Sequence, residues 1–285
     1  MSAAPADSAN AISFQGQPGA YSHLACVEAY PDMRPLPCAS FEEVFEAVGN
    51  GRAALAMIPI ENSVAGRVAD IHHLMPVSGL HIVAEHFQRV THHLLAPEGA
   101  TVAGLATVHS HIHALSQCRR MIRELGLKAV IHADTAGAAA EVAARGDRTE
   151  AAIASALAAE KHGLAVLKSG IEDAGDNTTR FVVMAPEPAD PDPAAGPVMT
   201  TFVFRVRNVP AALYKALGGF ATNGVNMVKL ESYMLDGSFT ATQFYADIEG
   251  HPGETPVRLA LEELEFFADV TVLGVYPAHP FRGEG

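Results

Sequence analysis

The chain has 285 residues, 49% of them hydrophobic and 18% charged, so it can bury a core and is not intrinsically disordered. Its 19 Lys and Arg stand against 32 Asp and Glu, a formal net charge of −13, and no basic stretch interrupts that balance, which argues against a nucleic-acid partner. Three scattered cysteines without a CxxC pair exclude a disulfide framework or zinc ribbon and fit a reducing compartment.

The first ten residues carry no basic segment and no apolar core, so no signal peptide is expected. No apolar run reaches the ~18 residues of a membrane span, and the expected setting is cytoplasmic, without a membrane partner. Ala11-Ile12-Ser13-Phe14 reads as a strand leading through Gly16-Gln17-Pro18-Gly19 to a helix starting near Ser22. That turn is a weak phosphate-loop signal: the third glycine of GxGxxG is missing, and no acidic residue ends a strand near Leu36-Pro37-Cys38. Residues 53–58 form a buried apolar strand that empties into Glu61-Asn62-Ser63, with a helix expected over 66–74. A carboxylate, an amide and a hydroxyl at the end of a buried strand are placed as an open α/β sheet places a ligand crevice. Residues 79–87 and 91–96 read as strands crossing between lobes. Residues 105–108 lead to a helix over 110–125, and residues 151–154 to a helix over 155–162. Serine recurs at or near these helix starts (Ser22, Ser63, Ser110, Ser155), where its oxygen can accept an orphan N–H. Repeated βα units imply a mostly parallel sheet flanked by helices.

Residues 176–184 bring Asp176-Asn177-Thr178-Thr179-Arg180 into a buried strand. They read either as a second polar cluster, in which Arg180 can grip a carboxylate with two hydrogen bonds, or as a plain strand start with an external arginine. Pro186 to Pro197 holds five prolines and reads as a semi-rigid linker. Beyond it comes a strand over 200–206, a helix from Pro210 to about 221 and a turn at Asn223-Gly224-Val225-Asn226. A hairpin of 227–234 and 239–248 around Asp236-Gly237 follows, then a helix over 254–267 and a strand over 270–276. This βαββαβ order is the ferredoxin-like pattern.

Ser110 and Gln117 are seven residues apart and share a helix face. His109, His111 and His113 alternate, but a metal would need all three on one strand face while Ser110 reads as a helix cap, and no HExxH accompanies them. They are read as helix-cap and surface histidines, and the pairs His72-His73 and His92-His93 as ordinary helix or strand positions.

Five motifs in order make the chain resemble the prephenate dehydratases that carry a C-terminal ACT domain. They are Gly16-x-x-Gly19-x-Tyr21-Ser22-x-x-Ala25, Pro59-x-Glu61-Asn62-Ser63-x-x-Gly66, Ser110-His111 with Ala114-Leu115-x-Gln117-Cys118, Ile153-Ala154-Ser155 with Ala158-Ala159 and Gly163-Leu164, and Asn177-x-Thr179-Arg180-Phe181. The resemblance implies an α/β catalytic domain over residues 10–185, built of two lobes of the type II periplasmic-binding-protein kind, a linker over 186–197, and a ferredoxin-like ACT regulatory domain over 198–279. By the same resemblance Thr179 is the main catalytic residue, with Asn62, Ser110 and Gln117 beside it. Ser22, Glu61, Ser63, Ser155, Thr178, Arg180 and Phe181 form the expected substrate-binding set.

No cofactor and no metal are implied. The substrate is prephenate, and L-phenylalanine is the implied effector, held by Ala211, Ala212, Leu213, Asn223, Asn226, Glu231 and Ser232. Two departures bear on that effector site: Ala211-Ala212-Leu213 stands where the family has Gly-Ala-Leu, and Glu231-Ser232-Tyr233-Met234 where it has Glu-Ser-Arg-Pro. The chain leaves no room for an N-terminal chorismate mutase, so a monofunctional enzyme is expected, a homodimer or homotetramer through the ACT units. The alternatives are arogenate dehydratase and a non-catalytic ligand-binding regulator.

Overall fold

The structure is a computed structural model that describes residues 10–68, 71–207, 209–234 and 241–283. The chain forms two compact units, one of Met1–Val68 with His86–Phe181, the other of Ala69–Glu85 with Val182–Gly285.

The first unit holds two α/β lobes. In the first lobe β1 (Ala11–Gln15) leads to α1 (Tyr21–Ala29), β2 (Arg34–Cys38) to α2 (Phe41–Gly49), and β3 (Leu55–Asn62) to the short β4 (Gly66–Arg67). β1 pairs in parallel with β2 on one side and β3 on the other. Its residues Ala11, Ile12, Ser13 and Phe14 are all fully buried, as a central parallel strand covered on both faces requires. β2 escapes a reading from pattern because Pro35 and Pro37 interrupt it; the structure puts it at the sheet edge, where proline is tolerated.

α3 (Ile71–Leu74) and the first half of β5 (His81–Arg89) belong to the second unit. The second lobe contains β6 (His93–Ala96), β7 (Thr107–His111), α4 (Ile112–Gln117), α5 (Arg119–Glu124), β8 (Lys128–His132), α6 (Thr135–Arg145), β9 (Glu150–Ala154), α7 (Ala156–His162) and β10 (Ala165–Ser169). Its sheet runs β10-β6-β9-β7-β8. β11 (Thr178–Ala185) begins beside β3.

Three of the four expected serine caps differ in the structure. Ser155 caps α7 as expected, accepting from Ala158 N–H at 3.1 Å. Ser22 lies inside α1, whose N-cap is Ala20. Ser63 leads into a turn and not a helix: Gly66, at φ 82°, turns the chain back so that β4 pairs antiparallel with β3, and the next described helix is α3, Ile71–Leu74. Ser110 is a strand residue, because β7 runs on to His111, which is the N-cap of α4. The helix expected over 110–125 breaks at Cys118, where Asp173 receives the N–H groups of Arg119 and Arg120 and caps α5 from a distant part of the chain.

In the second unit β12 (Val198–Val206), α8 (Ala212–Thr222), β13 (Met227–Met234), β14 (Ala241–Glu249), α9 (Thr255–Phe267) and β15 (Ala268–Pro277) follow the expected βαββαβ order. The sheet runs β13-β14-β12-β15, every pair antiparallel. Phe202, Phe204, Phe220, Phe244 and Leu264 form its core with α8 and α9. Gly219 permits the close helix approach, since a Cβ there would lie 2.8 Å from Glu263 Cβ. Beyond β15 the sheet pairs in parallel with β5, where Gly274 lies against Ile82 with no space for a side chain. The turn expected at Asp236-Gly237 lies outside the described residues. The proline-rich segment contains one short 3-10 turn at Pro193–Ala195.

Candidate active site

The end of β3 and the start of β11 meet at Ser63. Its N–H donates to Thr178 O at 2.9 Å, its Oγ donates to Asp176 O at 2.8 Å, and Thr178 N–H donates to that Oγ at 2.9 Å. This clamp sets Asn62 beside Thr179, residues 117 positions apart in the chain. Asn62 Oδ1 accepts from Val64 N–H at 3.0 Å and Ala65 N–H at 2.7 Å, so the amide oxygen faces the turn. Asn62 Nδ2 then donates to Asn177 Oδ1 at 2.6 Å and to Thr179 Oγ1 at 2.9 Å. Thr179 therefore accepts from Asn62, and no described residue takes its hydroxyl hydrogen.

The chain of amides continues into the second lobe. Asn177 Nδ2 donates to Gln117 Oε1 at 3.0 Å, and His92 Nε2 lies 2.8 Å from the same oxygen. Gln117 thus receives two hydrogen bonds on its oxygen and keeps its amide N–H groups unengaged by any described residue. Gln117 and Asn177 border a cavity of about 250 Å³ together with Val64, Ala65, His113, Glu172 and Asp173. Glu172 accepts from His92 backbone N–H at 2.9 Å. Burial holds the His92 imidazole below its usual range, partly opposed by the Gln117 hydrogen bond and by Glu172. Burial, then Glu172 and Asp173, pushes the Cys118 thiol up to about 12. Among the described residues no three His, Cys, Asp or Glu side chains are grouped to hold a metal ion.

A family model described as prephenate dehydratase matches residues 12–189. The chain belongs to the prephenate dehydratase family. It is a lyase of that family, whose reaction is the loss of water and carbon dioxide from prephenate to leave phenylpyruvate. It is 56% identical over 272 residues to a protein of Komagataeibacter europaeus described as a bifunctional N-acyl-homoserine lactone acylase/prephenate dehydratase, covering 95% of this chain and 97% of that one. It is 38% identical over 286 residues to an arogenate dehydratase/prephenate dehydratase of Arabidopsis thaliana, covering 95% of this chain and 73% of that protein. The crystal structure of prephenate dehydratase from Arthrobacter aurescens in complex with L-Phe superposes with a TM-score of 0.85 at 30% identity, covering 94% of this chain and 90% of that one.

Against that family's reaction, the expected residues divide into three groups. Thr179, Asn62, Gln117, Ser63 and Thr178 come together in one hydrogen-bonded cluster. Arg180 is 3% exposed and already binds a carboxylate within the protein: its Nη1 donates to Glu61 Oε1 at 3.1 Å. Ser110 is fully buried and donates to Ile153 O at 2.6 Å, which ties β7 to β9 and keeps its hydroxyl out of the cavity. Ser155 is also buried, donating to Gly19 O at 2.6 Å, so it joins the two lobes. Phe181 is a core residue, and Ser22 is half-buried on α1.

Asn177, His92, Tyr21 and Glu172 are site residues that the sequence reading did not assign. Asn177 and Tyr21 fell inside quoted motifs, so a signal existed. His92 looked like one of two adjacent histidines in a strand pattern, and nothing local separates it from His93.

The expected effector residues are spread through the second unit. Ala211 is the N-cap of α8 and Asn223 its C-cap. The eleven residues between them span about 16 Å, so one phenylalanine cannot touch both within one chain. Glu231 lies 3.1 Å from Lys229 Nζ and 3.4 Å from His72 Nε2, and Asn226 donates to Glu249 at 3.0 Å.

Proposed function

We propose that prephenate binds in the cavity bounded by Gln117 and Asn177 and that Thr179 assists departure of its ring hydroxyl. The observation that carries this reading is the fixed direction of the amide chain. It leaves the Gln117 amide N–H groups as unengaged donors bordering the cavity, and the Thr179 hydroxyl hydrogen unengaged at the other end of the chain, which Asn62 and Asn177 join to the cavity wall. In the reaction the bond from the ring to its carboxylate breaks, and those electrons enter the ring. The C–O bond to the hydroxyl breaks, and the departing hydroxide combines with one proton to form water. Aromatisation drives the step. What the protein must supply is donors at the leaving oxygen and at the carboxylates, placed before the reaction begins. Threonine is too weak an acid to release its proton freely, so Thr179 polarises the leaving group. The Arg180–Glu61 pair acts from behind, stiffening the junction of β3 and β11. Thr179→Ala should lower kcat on prephenate by about 10²–10³-fold with a much smaller change in KM. A kcat within a few-fold of the parent would remove the assignment.

The finer organisation belongs to the same proposal. Residues 10–185 form the catalytic domain, 186–197 the linker and 198–279 an ACT regulatory domain, a reading supported by the strand order β13-β14-β12-β15. Two or four chains pair through these ACT units in the cytoplasm. The units bind L-phenylalanine, a reading supported by the prephenate dehydratase of Arthrobacter aurescens, whose structure is in complex with L-Phe. A melting temperature unmoved by millimolar phenylalanine would count against that effector site. The plant relatives keep arogenate open as a substrate, and the ratio of kcat/KM on arogenate and prephenate decides it.

The 56% identity to the Komagataeibacter europaeus protein favours one second reading, hydrolysis of the amide bond of an N-acyl-homoserine lactone. Incubating the purified chain and its Thr179→Ala variant with N-octanoyl-homoserine lactone tests it. Release of homoserine lactone by the parent alone would place both activities in one cavity.

A further inference from the structure

Two backbone N–H groups determine where the hydrogens lie along a chain of side chains that crosses the first unit. Val64 and Ala65 orient the Asn62 amide, Asn62 orients Asn177, and Asn177 places the oxygen of Gln117 toward His92. An acceptor oxygen at Gln117, 2.8 Å from His92 Nε2, requires a hydrogen on that nitrogen. Nδ1 is therefore the nitrogen of His92 that titrates. It lies 2.8 Å from the Tyr21 hydroxyl, which is also 2.8 Å from the Thr91 carbonyl. Tyr21 has one hydroxyl hydrogen. With His92 neutral, that hydrogen serves one acceptor and leaves the other close contact without one. With a proton on Nδ1, His92 donates to Tyr21, Tyr21 donates to Thr91, and every contact is met.

The charge around the cavity points the same way. No lysine or arginine is among the described residues that line it, and Glu172 and Asp173 both border it. Their carboxylates already accept backbone N–H groups, Glu172 from His92 and Asp173 from Arg119 and Arg120. A doubly charged acid entering there adds negative charge beside two carboxylates, and a proton on His92, directly behind Gln117, answers it.

We propose that His92 is a positioning residue that takes a proton from solvent onto Nδ1 when the dianionic substrate binds, while Tyr21 turns its hydrogen to Thr91. The imidazolium then polarises the Gln117 amide, so that its free N–H groups hold a substrate carboxylate more tightly, and the proton leaves when product departs. This rests on the reading of the cavity as the substrate site. In the free protein burial lowers the pKa of His92, the Gln117 hydrogen bond and Glu172 oppose it, and His93 pushes in the same direction as burial. The Tyr21 hydroxyl stays protonated throughout: burial first, then Cys118 and Glu172, holds its pKa well above the usual value.

His92→Gln separates charge from hydrogen bonding, because glutamine keeps an N–H donor for Gln117 and cannot be protonated. The measurement is the ratio of kcat/KM on prephenate, parent over variant, across about pH 5.5–9. Binding linked to uptake of one proton weakens by up to about tenfold per pH unit between the free and bound pKa values of His92. The ratio should therefore be largest at acid pH, fall as pH rises and approach one at alkaline pH. A ratio constant at every pH, the mark of a purely structural role, overturns the proposal, and so does a ratio of one throughout. Tyr21→Phe removes the acceptor of the Nδ1 proton and should move the parent's fall to lower pH. If His92→Gln does not fold, an unmoved profile in Tyr21→Phe overturns the proposal alone. A parent enzyme inactive on prephenate would instead overturn the cavity assignment.

Discussion

Two polar networks in this molecule use similar residue types to opposite ends. In the first unit the Thr179–Asn62–Asn177–Gln117 chain is built of neutral groups, is half-buried except at the buried Asn177, and finishes with donors that no described residue accepts. In the second unit Thr201 donates to Asp247 at 2.5 Å and meets the Tyr276 hydroxyl at 2.7 Å, with all three residues fully buried. Because the Thr201 hydrogen goes to Asp247, Tyr276 must donate to Thr201. That network joins β12, β14 and β15 to one another. The contrast separates a site from a strut: what differs is whether each hydroxyl and amide hydrogen has an acceptor within the described residues.

The largest effect should come from reversing the open chain without breaking its turn. Asn62→Asp keeps an oxygen for Val64 and Ala65 but turns a second oxygen toward Asn177 and Thr179. Asn177 must then flip, Gln117 with it, and kcat should fall about 10²–10³-fold while the melting temperature moves little. Retention of activity would mean that amide direction does not matter. A smaller effect, of the opposite kind, should follow Thr201→Val. It removes the Thr201 donor to Asp247 and should remove about 1–3 kcal/mol of stability in a denaturant titration, with kcat unchanged. If kcat fell with stability intact, the closed network would be part of the site. The smallest change concerns Ala211, whose φ of 62° is the left-handed conformation that favours glycine. Ala211→Gly should stabilise the chain by about 1 kcal/mol, read as a raised midpoint of unfolding. A loss of stability there would show that the alanine makes contacts worth more than its strain.

Much of the architecture was legible before any coordinates. Residues 53–58 and 151–154 are continuous apolar runs, and the second unit shows its element order openly because each turn carries glycine, proline or asparagine. β2 was not legible, since two prolines hide an edge strand, nor was β8, whose mostly exposed Lys128-Ala129-Val130-Ile131-His132 has no clear alternation. The break of the 110–125 helix was invisible for another reason: its cap, Asp173, lies more than fifty residues away. At the site, the motifs delivered Thr179, Asn62 and Gln117 as a group. The same motifs carried Ser110, Ser155 and Arg180 with equal weight, although their hydroxyl or guanidinium groups are engaged inside the protein.

By itself, then, the order of residues determined the strands and helices with strong local pattern, the ferredoxin-like succession after the linker, and the chemical character of the polar cluster. Only the tertiary structure decided which members of that cluster face a cavity, which are structural, and that His92 stands behind Gln117. The reason is that an asparagine or glutamine offers a donor and an acceptor on ends that the sequence does not distinguish. Its direction is imposed by neighbours brought from distant positions, here beginning with the N–H groups of Val64 and Ala65.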